Sequence, residues 1–351
     1  MYAETEPGAA AERTAFRRAE KQYKLYKPPS RKGRSRSLSL GPPTSLAGGN
    51  SRADSRLFNR CRGKQSGGGG GGVGGGGGGG DLSAVVDFHA LLAAGEGELP
   101  AGIRRCHRAG FHLPVFCFLD RPGFYFIPGA LSTEEQCYWI RESLKTFPQP
   151  PNRTNLTAAY GPISDLLVAA KNQKILVEVE SSNGQERDEQ SNVGENAYPG
   201  KFKFVDGSEV QKEERPKSTT AAALVRKLRW STLGLQFDWS KVCDMLGGHV
   251  DDMEADWTKP IVSISLGCKC IFLLGGKTRD EAPTPMFLRS GDIVLMAGEA
   301  RERFHGVPRI FTESDQQGIS ALVSELSGDD DRFILDYIHN SRININIRQV
   351  Y

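Results

Sequence analysis

Apolar positions are sparse and without period over residues 1–80, and regular patterning starts near Asp81. The stretch FYFIPGALSTEEQCYWIRESLKTF (124–147) predicts a strand, a turn and a helix. Ser132 or Thr133 suits the helix N-cap, and Glu135 stands three residues after Ser132, the spacing of a capping box. PISDLLVAAKNQKILVEV (162–179) is apolar and opens as a helix, whereas residues 181–217 are polar and poor in aliphatic side chains. That second stretch reads as a surface insertion or a disordered loop. LVRKLRWSTLGLQFDW (224–239) passes from a basic helix to an alternating strand. From Lys259 the pattern is strongly β: KPIVSISLG (259–267), CKCIFLLGG (268–276), PMFLRS (285–290) and DIVLMAG (292–298). Ser290–Gly291–Asp292 marks a tight turn making the last two a hairpin. RININIR (342–348) alternates Arg or Asn with Ile, the period of a half-buried strand. Short strands separated by turn signals predict a sandwich or barrel.

Composition changes this picture mainly at the N-terminus. Arg17, Arg18, Lys21, Lys24 and Lys27 form a basic run interleaved with Tyr23 and Tyr26. RKGRSRSLS (31–39) and the tether GGGGGGVGGGGGGG (67–80) follow, and neither can bury a core. Residues 1–80 therefore read as a disordered basic and Gly-rich tail, and 81–351 as the folded domain. The basic run is a solvated tail, a nuclear address or a phosphate clamp. Seven cysteines, an odd number with no CxxC pair, give neither zinc-finger spacing nor a disulfide framework. They read as reduced thiols of an intracellular protein. The net charge of +3 permits a nucleic-acid partner without demanding one. No apolar run is long enough to span a bilayer.

The candidate chemistry begins at GGHVDDMEADW (247–257). On a strand, His249 and Asp251 share one face, roughly 6–7 Å apart along the chain. They could then converge on one ion at ~2.1 Å from each ligand atom. A surface turn is the commoner origin of so short a string, so the doublet decides nothing alone. His305, in ARERFHGVPRIF (300–311), changes that. Two histidines and one carboxylate make the facial triad of non-haem Fe(II) oxygenases, which leaves positions open for a co-substrate and O2. Arg342 and Arg348 lie an even six residues apart and share one strand face, with Asn344 and Asn346 between them. Two guanidiniums on one face suit a ligand with a carboxylate at each end.

Taken together, HVD, GCKCIFLLGGKTRDEAPTPMFLRSGDIVLMAGEARERFHGVPRIF and SRININIRQV resemble the catalytic half of AlkB-type 2-oxoglutarate dioxygenases. LLGG, RDEAPT and the terminal RQV are similar to the AlkB homologue 1 branch, as are GFYFIPGALSTEEQ and KLRWSTLGLQFDW. The resemblance implies an α+β chain whose core is a double-stranded β-helix (jelly-roll), with flanking N-terminal helices. It implies a dioxygenase domain over 81–351 interrupted by the polar insertion. Its iron ligands would be His249, Asp251 and His305. Arg348 would pair with the 2-oxoglutarate carboxylate next to the keto group, and Arg342 with the far one. Glu254 and Arg279 are weaker candidates nearby. The implied activity is oxidative demethylation of N-methylated bases with Fe(II), 2-oxoglutarate and O2, releasing formaldehyde, succinate and CO2. The implied partner is methylated DNA or tRNA, with N6-methyladenine and N1-methyladenine as the expected bases.

One departure accompanies the resemblance. The family carries an Asn-x-Tyr strand just before HxD, whereas here only residues 240–248 separate Trp239 from His249 and contain no such motif. Loss of a core strand would leave backbone groups unpaired. A second expectation is therefore a catalytically impaired splice or gene-model variant that acts only as a binding protein. A third is a metal-dependent hydroxylase of proteins or small molecules. A monomer in nucleus and cytoplasm, without membrane attachment, completes the set.

Overall fold

The computed structural model describes residues 14–24, 81–95, 97–108, 110–179, 201–207, 218–233, 249, 256, 258–312, 319–328 and 331–349. Two antiparallel sheets form its centre. The larger runs β1 (Ile103–Arg108), β2 (Phe111–Phe118), β3 (Phe124–Ile127), β12 (Ile293–Met296), β9 (Ile261–Gly267) and β14 (Arg342–Arg348), in that spatial order. The smaller runs β11 (Thr284–Leu288), β10 (Cys270–Leu274) and β13 (His305–Ile310). Phe116, Phe124, Phe126, Ile261, Val294 and Met296 of the first meet Cys270, Phe272, Leu274, Met286 and Leu288 of the second in one buried cluster. That cluster is the inside of the sandwich. The architecture is the α+β jelly-roll that the strand pattern and the resemblance lead one to expect.

Helices cover the outer face of the larger sheet. They are α3 (Thr133–Lys145), α5 (Leu166–Lys171), α6 (Ala221–Val225), α7 (Ser320–Glu325) and α8 (Arg332–Asn340), while α4 (Thr157–Tyr160) is a single turn. Ile140, Leu144, Leu167, Leu224, Leu322, Ile334 and Ile338 pack against Ile264 and Leu266 of β9. Burial of each such side chain contributes about 1.5–3 kcal/mol. The α3 capping box forms as its spacing predicts: Ser132 Oγ accepts from Glu135 N at 3.2 Å, and Glu135 Oε2 accepts from Ser132 N at 2.8 Å. Two small sheets lie beside the helices, β4 (Arg153–Thr154) with β8 (Ser231–Thr232), and β5 (Ile175–Glu178) between β6 (Phe202–Val205) and β7 (Ser218–Thr220).

Three expectations need correction. The polar stretch 181–217 is not loop throughout, because Phe202–Val205 pairs with β5, and Phe202 and Phe204 pack on the helical core. Two phenylalanines at period two were the signal. The turn Ser290–Asp292 does not close a hairpin: β11 and β12 belong to different sheets, so the turn carries the chain across the sandwich. Gly291 has φ +86°, and a Cβ there would lie 2.5 Å from Gln136 Nε2, so the crossing requires glycine. Finally, residues 1–80 are not uniformly without structure. Ala15–Tyr23 forms helix α1, capped by the Thr14 side chain. Phe16 and Tyr23, seven residues apart and with Ala19 between them, bury one stripe against Ile271 and Leu273 on the outer face of the smaller sheet. The basic residues around that stripe hid its helical period. Gly275 makes room for the contact, since a Cβ there would sit 2.7 Å from the Phe16 ring.

A polar cluster ties the remaining helix, α2 (Phe88–Ala93), to the sheet crossing. Asp87 caps α2, accepting from His89 N and Ala90 N, and pairs bidentately with Arg289 at 2.8 and 2.7 Å. Asp292 is fully buried, accepts from Gly129 N and Arg289 N, and lies 2.7 Å from His89 Nε2. Burial pushes the Asp87 carboxyl up, but the Arg289 and Ala90 hydrogen bonds outweigh it and hold it below the ordinary carboxylate value.

The packing of α1 sets one expected outcome. Phe16→Ala is expected to lower unfolding stability by about 3–5 kcal/mol, read by urea denaturation, if α1 unfolds with the domain. An unchanged midpoint would mean that α1 docks without contributing. Asp87 sets another. A depressed folded pKa adds stability that is complete above the unfolded value of ~3.9 and is lost as pH falls through the folded one. Arg289→Ala is therefore expected to flatten the stability loss on acidification below about pH 4, measured by chemical denaturation across that range.

Candidate metal and co-substrate site

The two histidines meet across a strand pair. His249 N donates to His305 O and His305 N donates to His249 O, each at 2.8 Å. This reciprocal pair makes His249 an isolated antiparallel rung beside β13. Directly opposed residues send their side chains to the same face. On its other side His305 pairs with Leu274 of β10, a residue of the inner cluster. Both imidazoles therefore point into the sandwich, and their ring centroids are 4.6 Å apart. His305 is 7% exposed and lies nearly parallel to Phe272, at 5.9 Å and 25°.

A hydrogen bond determines the His305 tautomer. Its Nδ1 lies 3.2 Å from the Arg303 carbonyl oxygen. A carbonyl only accepts, so Nδ1 carries a proton and Nε2 is the ring nitrogen suited to ligating a metal. Two imidazoles on neighbouring positions, one with its tautomer set, fit a first-row metal.

Arg342, Asn344, Asn346 and Arg348 occupy one face of β14, opposite Gly267, Ser265, Ser263 and Ile261 of β9. Ile261 belongs to the inner cluster and Ile343 and Ile345 to the helical one, so the Arg and Asn side chains share the inward face. The row is bonded to itself. Arg342 Nε donates to Ser265 Oγ at 2.9 Å, and its Nη2 donates to Asn344 Oδ1 at 2.9 Å. Ser263 Oγ donates to Asn344 Oδ1 at 2.7 Å, and Asn344 Nδ2 donates to Asn346 Oδ1 at 2.9 Å. These bonds occupy one edge of the Arg342 fork and leave the Nη1 N–H groups for a ligand. Asp256 meets the chain just beyond β14. Asp256 N donates to Gln349 O at 3.2 Å, and buried Arg301 Nη1 donates to the carbonyls of Asp256 at 3.2 Å and Lys259 at 2.5 Å.

The structure thus brings His249 and His305 together, and sets Arg342 and Arg348 on a common inward face. Asp251, Asp252 and Glu254 lie outside the described residues, as does the 240–248 segment where Asn-x-Tyr was sought. Arg279 is not inside the sandwich: its guanidinium lies over the Phe304 ring at 4.6 Å, and its carbonyl accepts from Phe16 N at 2.9 Å. Among the described residues no group of three His, Cys, Asp or Glu side chains is gathered around a point. Sequence reasoning missed Ser263 and Ser265, although their period-two spacing in IVSISLG puts both on one face. It also missed the Arg303 carbonyl and Phe272, for which nothing local in the sequence gives a signal.

Comparison with known proteins bears on all of this. The 2OG-Fe(II) oxygenase superfamily matches residues 123–348. A DNA N(6)-methyladenine demethylase, ALKBH1A of Arabidopsis thaliana, is 44% identical over 400 aligned positions that cover 100% of both chains. The human nucleic acid dioxygenase ALKBH1 is 28% identical, covering 77% of this chain and 79% of its own. The tRNA demethylase abh1 of Schizosaccharomyces pombe is 28% identical, covering 67% and 82%.

The self-bonded row makes a measurable difference. Ser265→Ala removes the partner of Arg342 Nε, a bond to a charged group contributing about 1.5–3 kcal/mol. It is expected to raise the Kd for 2-oxoglutarate by roughly tenfold or more, read by calorimetry, while metal affinity stays unchanged. Equal weakening of both would place Ser265 in support of the whole fold instead of Arg342.

Proposed function

The chain belongs to the 2OG-Fe(II) oxygenase superfamily, and from that premise we propose that it is an oxidative demethylase of N-methylated bases in nucleic acid. Membership makes it an Fe(II)- and 2-oxoglutarate-dependent dioxygenase that consumes O2. The substrates are N6-methyladenine in DNA and N1-methyladenine in tRNA. The full-length similarity to a DNA N(6)-methyladenine demethylase carries this reading, and a tRNA demethylase among the relatives supports its second half. The enzyme acts as a monomer in nucleus and cytoplasm. The basic tract RKGRSRSLS favours that placement as a nuclear address.

In this reading His249, Asp251 and His305 hold the iron, with His305 contributing Nε2 because the Arg303 carbonyl holds its Nδ1 proton. When bound, the metal and 2-oxoglutarate supply the O2 chemistry that oxidises an N-methyl group, with succinate, CO2 and formaldehyde as products. Arg348 pairs with the carboxylate beside the keto group, and Arg342, oriented by Ser265 and Asn344, takes the far carboxylate. Holding the co-substrate at both ends leaves it one orientation relative to the histidines. The inner faces of the two sheets are lined by packed side chains, so a base reaches the site only when extruded from its stack. Phosphate contacts outside the sandwich position the polymer.

Turnover of the full chain with Fe(II), 2-oxoglutarate and methylated DNA or tRNA oligonucleotides tests the proposal. Formaldehyde and succinate are expected in equal amounts, and His305→Ala is expected to abolish both. Affinity for the oligonucleotide is expected to fall steeply as salt rises. Succinate without formaldehyde across all oligonucleotides would leave the dioxygenase and remove the substrate. No turnover by a folded, iron-loaded chain would favour a protein that binds without reacting.

A further inference from the structure

A pair of thiols lies on β1 and β2, at the edge of the larger sheet opposite β14. β2 pairs with β1 along its length but with β3 only at Phe116–Phe126 and Cys117–Tyr125. Residues 111–115 are thus bonded to β1 alone, and the two strands form an arm that leaves the sheet at Phe116, next to Cys117. Phe111 and Leu113 on that arm are 44% and 40% exposed. Arg104 faces Cys117 and Cys106 faces Val115, so both thiols and the guanidinium share one side of the arm. The ladder register shifts between Cys106 and Arg108. Such an irregularity increases local twist, which draws one diagonal pair of side chains together. Here that pair is Cys106 and Cys117, whose sulfurs are 2.8 Å apart.

Arg104 Nε donates to Cys117 Sγ at 3.2 Å, which sets a guanidinium beside that sulfur. Cys117 is buried and Cys106 half-buried, so a small oxidant suits the place better than a protein thiol. The other described cysteines lack this arrangement. The Cys268 thiol donates to the Ile338 carbonyl, and Cys137 and Cys270 are enclosed in the two apolar clusters.

We propose that Cys106 and Cys117 are a reversible redox pair, and that a peroxide converts them to a disulfide that locks the arm where it leaves the sheet. The Cys117 sulfur attacks one peroxide oxygen and gives up its proton. The O–O bond breaks, Cys117 becomes a sulfenic acid, and the departing oxygen leaves as water after taking a proton. The Cys106 sulfur then attacks the sulfenic sulfur, and its proton departs with the hydroxyl as a second water. Two thiols are oxidised to one disulfide and one hydrogen peroxide is reduced to two waters. A further approach of ~0.8 Å brings the sulfurs to bonding distance, and the register irregularity beside Cys106 is where the backbone can supply it. A thiol reductant reverses the change.

The test treats the full-length chain with hydrogen peroxide, removes the oxidant, alkylates remaining thiols and maps the peptides. The expected result is a Cys106–Cys117 link, loss of both residues from the alkylated pool, and slower amide exchange across 105–115, all reversed by dithiothreitol. Cys106→Ser is expected to abolish the link and the slowing, and to leave Cys117 as a sulfenic acid trapped by dimedone. Cys117→Ser is expected to give neither link nor trapped adduct. Both residues staying alkylatable while other cysteines oxidise would overturn the proposal, as would a link whose formation leaves the exchange of 105–115 unchanged.

Discussion

Two backbone hydrogen bonds of 2.8 Å between His249 and His305 set the geometry on which the rest of the site depends. They fix two imidazoles on one face at neighbouring positions, which no side-chain interaction could do as cheaply in entropy. The rung is only as firm as the strand beneath it. β13 is held by β10, and Gly275 at the end of that region donates to the Phe304 carbonyl at 2.7 Å. Phe304 in turn packs against Phe16, with ring centroids 6.3 Å apart. Helix α1 therefore backs the residue next to His305 from the outer side of the sheet, far away in sequence and adjacent in space. A glycine at 275 is what lets that support come so close.

The second organising constraint is the alternation of β14. Ile343 and Ile345 join the helical core while its arginines and asparagines take the opposite face. Buried Ser265 costs desolvation unless it is bonded, whereas Asn344 and Asn346 stay exposed. Here Ser263, Ser265, Asn344 and Asn346 satisfy one another and Arg342, and only part of the Arg342 fork remains uncommitted. The strand thus stabilises the fold through one face and keeps a cationic ligand site on the other.

Much of this was legible because periodicity and spacing report on faces. RININIR gave the two-sided strand, S-x-x-E gave the capping box, and HxD with a later His gave the metal hypothesis. What stayed hidden was long-range or backbone-borne. The turn at Ser290–Asp292 looks like a hairpin turn locally, but which sheet each flanking strand joins depends on partners far away. The stripe Phe16–Ala19–Tyr23 was masked by Arg17, Arg18 and Lys21 beside it, whose charge pointed to a solvated tail. The Arg303 carbonyl could not be read from any side chain at all.

That carbonyl is a physically apt partner for a metal-binding imidazole. A carboxylate in its place would set the same tautomer but would add a negative charge behind the ring. A neutral acceptor holds Nδ1–H and adds no net charge. The ring is then oriented by Phe272 on its face and by the backbone at its edge. Because the acceptor is part of the chain two residues before His305, it moves with the strand and the ring together. Orientation of the lone pair therefore follows from the path of β13 itself, and any change that tilts this strand, including loss of the helix behind it, reaches the metal position through the backbone.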